Sequence, residues 1–220
     1  MKSKEASSLR KWVSKPMRES QEALKKPRAA ILEAAISLFG RFGYTGTTMR
    51  DIAKEVGVLP GSLYAHIDSK ETLLDEIVEL GIESFLVIEA ELPKSSSVVE
   101  RLRAAIVAHI KIAAEYPGRS LVVFHQWRFL TEPNLTRALN KRRRYQQIFV
   151  KLIDEGIADG SFAHGLDSKI AVFTILGALN WVPEWYSTRG HYNPSEIANK
   201  LADNLLHGIL ANRDSNARRR

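Results

Sequence analysis

From Ile31 to Ile209 the apolar residues of this chain recur at the three- and four-residue spacing of helices, and no useful stretch alternates with a period of two. That spacing predicts an all-α fold of about nine helices, punctuated by proline, glycine and capping residues. The first runs from Pro27 to Phe42 with Ile31, Leu32, Ala35, Leu38, Phe39 and Phe42 inward, and Gly43 ends it. Thr47 is placed to N-cap a second, Thr48 to Val56, which Gly57 stops. A very short third spans about Pro60 to His66. Asp68 or Ser69 caps a fourth whose buried face is Leu73, Leu74, Ile77, Leu80, Phe85 and Ile88. Beyond Pro93 and Ser95 to Ser97, a fifth is expected from Val98 to Glu115, with Val99, Leu102, Ile106, Ile110 and Ala113 inside. Pro117-Gly118 reads as a turn, Leu121 to Leu130 as an aromatic-rich sixth helix, and Pro133 to about Ile157 as a long seventh. The eighth runs from Asp167 to about Tyr186 with a kink at Pro183, and the ninth from Pro194 to near Leu210. No internal repeat interrupts the series.

Charge matters here through its placement. The 220 residues carry a net +7, but residues 1–26 hold +5 of it and Arg213–Arg220 another +3, which leaves the body at −1. The ends read as a basic, flexible arm and a basic tail, able to attract phosphate without reading sequence or simply to aid solubility. With no cysteine, disulfides and thiolate metal sites are excluded. No secretory leader and no run of about 18 apolar residues is evident, so a cytoplasmic protein without membrane contact is expected. Enzyme chemistry finds no support, and no catalytic residue or metal ligand is assigned. Histidines 66, 109, 125, 164, 191 and 207 form no i, i+4 pair beside a carboxylate, and neither a phosphate loop nor a nucleophile elbow is present.

The segment from Thr48 to Ile67 is the most informative. Nine residues of helix, a turn of three or four with Gly57, and about seven more residues of helix is helix-turn-helix spacing. Ala53 faces the turn, where only a small side chain lets two helices cross closely, and Ile52, Val56, Val58 and Leu63 would form the core between them. An ordinary helical hairpin would show the same spacing.

The run RAAILEAAISLFGRFGYTGTTMRDIAKEVGVLPGSLYAHIDSKETLL, Arg28 to Leu74, resembles the N-terminal domain of TetR-family transcription regulators. The features that match are Ala35 with Leu38-Phe39, Gly43-Tyr44, Thr47-Thr48, Ile52-Ala53, Gly57-Val58, Ser62-Leu63-Tyr64, His66 and Ser69-Lys70-Glu71. The resemblance implies a helix-turn-helix domain over 27–72 and a helical effector-binding and dimerisation domain over 73–212. It implies that Thr47 and Thr48 bond phosphate by hydroxyl and backbone N–H, and that Arg50 reads a base, a surface charge being its plainer role. Pro60, Gly61 and Ser62 would open the recognition helix in the groove, with Tyr64, His66 and Lys70 on phosphates. Leu59 departs from the family, which often has Ser or Thr there; Pro60 partly compensates for the lost cap.

The same resemblance implies a homodimer through the last two long helices, here roughly Ile170–Tyr186 and Ile197–Leu210. Gly177-Ala178 would permit close approach, and Leu201, Leu205 and Ile209 form a stripe that a plain core would also explain. Gly177 to Ala198 is similar to a branch with an N-W-x-x-x-W-Y pattern, matched by Asn180, Trp181, Trp185 and Tyr186. Members of that branch control fatty-acid or steroid catabolism and leave DNA on binding an acyl-CoA thioester. On that reading the effector meets Phe85, His109, Phe124, Trp127, Arg128, Arg142, Asn180, Trp181 and Trp185, with no other cofactor. Each has a plainer role: His109, the tryptophans and the phenylalanines as core, Arg142 as a snorkelling cation. The function implied is a repressor of operator DNA released by its effector. A ligand-binding protein without sequence-specific DNA binding, or an activator, is the alternative.

Overall fold

The computed structural model describes residues 27–187 and 190–210, so the basic arm and tail lie outside the described residues. Helices account for the chain in the anticipated order: α1 (Pro27–Phe42), α2 (Met49–Val56), α3 (Pro60–Leu63), α4 (Lys70–Leu86), α5 (Ile88–Glu91), α6 (Val98–Glu115), α7 (Pro117–Leu121), α8 (Asn134–Ala158), α9 (Ser168–Asn180), α10 (Val182–Trp185) and α11 (Pro194–His207). Among the described residues the only strand-like pairing is a single bridge, Phe162 to Leu210.

The chain forms two compact units: residues 27–84 with 118–138, and residues 85–117 with 139–210. A division at 72/73 does not describe these units, because the segment after Pro117 rejoins the first. In that unit α1 packs on α2 and α2 on α3. Val122–Gln126 forms one π turn and Trp127–Phe129 a 3-10 turn, where a sixth α-helix was expected. Val123 sits so close to α4 that a Cβ on Gly81 would lie 2.1 Å from its Cγ2. Glu71 accepts hydrogen bonds from Thr131 N (2.8 Å) and Oγ1 (2.7 Å), and Arg137 bridges Asp75 and Glu79 at 2.6 and 3.1 Å. These partners stand some sixty residues apart, so no local pattern announces them.

In the second unit α6 is the centre, with α11 laid along it and α5, α9 and α10 against it. Ser97 and Glu100 close a capping box that starts α6, and Leu102, Ala105, Ile106, His109, Ile110 and Ala113 are sealed from solvent. An Arg103–Asp203 ion pair links α6 to α11.

Several local expectations shift. The cap of α2 is Thr48, one residue later than expected, because Asp51 three residues on completes a capping box with it. Phe42 is exposed under the Arg41 guanidinium, 4.8 Å from its ring, and Leu80 and Val58 also face solvent. Val98 rather than Val99 is buried. Pro117 begins a helical turn instead of ending one, since its missing N–H costs nothing at a first helical position. Pro183 separates α9 from α10 outright rather than kinking one helix. On α11 the buried stripe is Ile197, Ala198, Ala202 and Leu206, continued by Ile209 just beyond its end, with Leu201 and Leu205 half-exposed beside it.

Candidate nucleic-acid interface and effector region

Sequence spacing places the interface on α2, α3 and their flanks, and the packing beneath explains which residues are offered. Ile52, Ala53, Leu63 and Ile67 are fully buried and fix α3 against α2. Gly57 caps α2 at φ 76°, a left-handed conformation that glycine adopts without strain, and its N–H meets Ala53 O and Lys54 O. Above that core Thr48, Arg50, Pro60, Gly61, Ser62, Tyr64 and His66 are all exposed.

Two of the nine candidates are not offered in the expected way. Thr47 is 1% exposed, and its hydroxyl donates inward towards Gly43 O (2.9 Å) and Leu38 O (3.3 Å). A threonine just after the α1 turn satisfies that helix's terminal carbonyls, so its hydroxyl is not free for phosphate. Lys70 turns back as well: Nζ donates to Tyr44 O and Thr47 O, both at 2.8 Å, and lies 4.2 Å over the Tyr44 ring. It fastens the start of α4 to the α1–α2 turn. Thr48 is exposed but shares its N–H and hydroxyl with Asp51, at 2.8 and 2.7 Å. Those bonds hold the Asp51 carboxyl below its ordinary range, so it stays charged.

Effector candidates divide between the units. Phe124, Trp127 and Arg128 belong to the first: Phe124 is buried, and Arg128 is exposed with its guanidinium 5.8 Å from the Trp127 ring. In the second, the structure brings Phe85 and His109 together, ring centroids 4.8 Å apart. His109 Nδ1 and the Tyr145 hydroxyl are hydrogen-bonded at 2.7 Å, and Phe149 packs edge-on to Tyr145. Burial lowers His109 to about 3 and raises the Tyr145 hydroxyl well above its usual value, so both are neutral. Arg142 and Asn180 are half-buried. Trp181 and Trp185 are 57% and 49% exposed.

Residues 31–77 match the bacterial regulatory proteins of the tetR family, and residues 95–209, just over half the chain, match the tetracyclin repressor-like C-terminal domain. The chain belongs to the TetR family. It is a DNA-binding transcriptional regulator of helix-turn-helix type. The HTH-type transcriptional repressor KstR2 of Rhodococcus jostii is 28% identical over 200 residues, covering 84% of this chain and 91% of that one. The fatty acid metabolism regulator protein of Bacillus subtilis is 25% identical over 189 residues, covering 84% and 97%. A tetR-family regulatory protein from Rhodococcus superposes with a TM-score of 0.77 at 28% identity, over 85% of this chain and 99% of that one. AibR, solved with isovaleryl coenzyme A and operator DNA, shares the fold with a TM-score of 0.71 at 24% identity, over 84% and 98%.

For this TetR-family chain, sequence reasoning missed three features. Asp51 closes a capping box with Thr48, a role its position three residues on would have signalled. The pairing of Tyr145 with His109, thirty-six residues away, has no sequence signal. A cleft of about 320 Å³ between α5, α6 and α8 was not anticipated. It is lined by Leu92, Ile148 and Leu152 with Lys94, Arg101 and Lys151, and with Glu89 and Glu155.

Proposed function

We propose that this regulator is a repressor. It homodimerises through α9 and α11, grips operator DNA with Thr48, Arg50, Pro60, Gly61, Ser62, Tyr64 and His66, and releases it when an acyl-CoA thioester occupies the second unit. The observation that carries the DNA part is the sorting within the motif: those seven residues are exposed over a core of Ile52, Ala53, Leu63 and Ile67 that is sealed. Arg50 is the base reader, since a guanidinium can take guanine O6 and N7 together. Tyr64 and His66 meet phosphate. With Thr48 engaged by Asp51, the phosphate at α2 falls to the first-turn N–H groups of Met49 and Arg50, which have no partner within the helix. Thr47 and Lys70 support this surface from behind.

Dimerisation is supported by Ile170, Phe173, Gly177 and Trp181, which share one face of α9 by helical spacing. The three large side chains are more than half exposed, and beside Gly177 the space is open. On this reading Trp181 and Trp185 serve the partner subunit rather than the ligand. Two recognition elements are required, because one short helix covers too little DNA for operator specificity, and the dimer must space them about 34–36 Å apart or a multiple of it.

The effector class is supported by AibR, solved with isovaleryl coenzyme A and operator DNA, and by the likeness to a regulator of fatty acid metabolism. The cleft beside α8 has matching chemistry, three cations and two acids around an apolar floor, though about 320 Å³ accommodates only part of so large a ligand. Release is a population shift, and the ligand drives it only by its differential affinity for the two states.

The test is fluorescence anisotropy of promoter DNA titrated with the protein and then with a long-chain acyl-CoA. Selective binding reversed by acyl-CoA supports the full reading. Selective binding that acyl-CoA leaves untouched removes the effector class and keeps the operator.

A further inference from the structure

Leu59 is the most exposed large apolar side chain among the described residues, at 77%. It also occupies the N-cap of α3, a position suited to Ser, Thr, Asp or Asn, and makes no capping bond there. Two residues on, Gly61 is equally unexplained by the fold. Its φ is not positive, and a Cβ built on it meets nothing within 4 Å. Neither backbone conformation nor internal packing asks for glycine at a helical position where alanine is the better helix former. A leucine left in water and a glycine the chain does not need stand together at the tip of the recognition helix. Each is a cost to the isolated protein that only a partner can offset.

We propose that Leu59 is a specificity-determining residue that reads thymine in the operator through the C5-methyl group, with Gly61 letting the backbone come close enough for the contact. The assignment rests on the DNA interface proposed above. A leucine side chain has no donor or acceptor, and the thymine methyl is the apolar feature a base pair offers in the major groove. Four residues of helix carry too little dipole to matter at this tip, so the contact is purely apolar. Pro60 between them holds the backbone without adding a donor. Arg50 and Ser62, both exposed, supply the polar half of the reading.

The experiment uses a duplex carrying the operator obtained by selection from random DNA with the full-length protein. Each thymine of one half-site is replaced in turn by deoxyuridine, which removes the methyl group alone, and affinity is read by anisotropy. Wild-type protein is expected to lose about fourfold at one or two positions, the worth of one buried carbon. Leu59→Ala is expected to bind the unmodified duplex about fourfold more weakly or worse, to lose nothing further at those positions, and to unfold at the wild-type temperature or above. Gly61→Ala is expected to lose tenfold or more in affinity with no fall in unfolding temperature. Wild-type affinity unchanged at every deoxyuridine, or the same sensitivity retained in Leu59→Ala, overturns the thymine assignment. Full affinity in Gly61→Ala overturns the close approach. Arg50→Ala separates the two levels. If it weakens binding while deoxyuridine has no effect, only Leu59 was misassigned. If it too binds normally, or the selection returns no common sequence, the interface itself is wrong.

Discussion

Arg50, Ser62, Tyr64 and His66 stand in water on the first unit, whereas His109 and Tyr145 are enclosed in the second by Phe85, Phe149 and the apolar face of α6. At the tip, the residues proposed to touch DNA and the residues that hold the fold are different: Ile52, Ala53, Leu63 and Ile67 do the holding. In the second unit the same side chains line the interior and stabilise it. Substitutions should therefore separate binding from stability in the first region and mix them in the second.

The largest effect expected is Ile106→Ala on the central helix α6. It removes a fully buried side chain and should cost about 2–5 kcal/mol in urea unfolding; a loss below about 1 kcal/mol would mean that this core is loosely packed. Next is Lys70→Met, which sharpens the comparison because Lys70 was expected among the phosphate contacts. Losing two charge-assisted bonds to Tyr44 O and Thr47 O should destabilise the protein by roughly 1.5–3 kcal/mol. A variant that unfolds like wild type but binds DNA weakly would return Lys70 to the interface.

Tyr145→Phe should cost about 1–3 kcal/mol by leaving His109 Nδ1 without its 2.7 Å partner. Operator affinity without effector should be unchanged, and a drop there would break the separation. His109 also predicts a pH dependence. The unfolded chain takes up its proton below about pH 6.5, while the folded chain holds the ring neutral down to about 3. The contribution is therefore complete above pH 6.5 and falls by about 1.4 kcal/mol per unit as pH drops from there towards 3. His109→Phe should flatten that part of the stability curve, and an unaltered slope would mean that the ring is not what titrates. The smallest effect on stability belongs to Arg50→Ala, within about 0.5 kcal/mol of wild type.

What could be read from the sequence follows the same division. The bounds of α1 and α6 match their apolar periodicity and their proline and serine starts, and the recognition motif lies where its spacing and the family resemblance placed it. Local rules carry such features, because cap, turn and stripe are all written within a dozen residues. The inward bonds of Thr47 and Lys70 were not foreseen, since a hydroxyl or an ammonium looks the same in sequence whether it faces phosphate or a carbonyl behind it. The pairing of Glu71 with Thr131, of Arg137 with Asp75 and Glu79, and of His109 with Tyr145 depends on how distant segments meet. The tryptophans at 181 and 185 show the same limit. Their pattern suggested effector contacts, and their exposure, 57% and 49%, could not be read from it.

The most direct measurement is the dissociation constant of the selected operator for wild type and Arg50→Ala at one salt concentration, with the unfolding temperature of each. A bidentate guanine contact implies a loss of roughly 1–3 kcal/mol, about fivefold to 150-fold in affinity, at an unchanged unfolding temperature. Equal affinities would contradict the account, because the assigned base reader of the proposed strip would then be doing nothing on DNA.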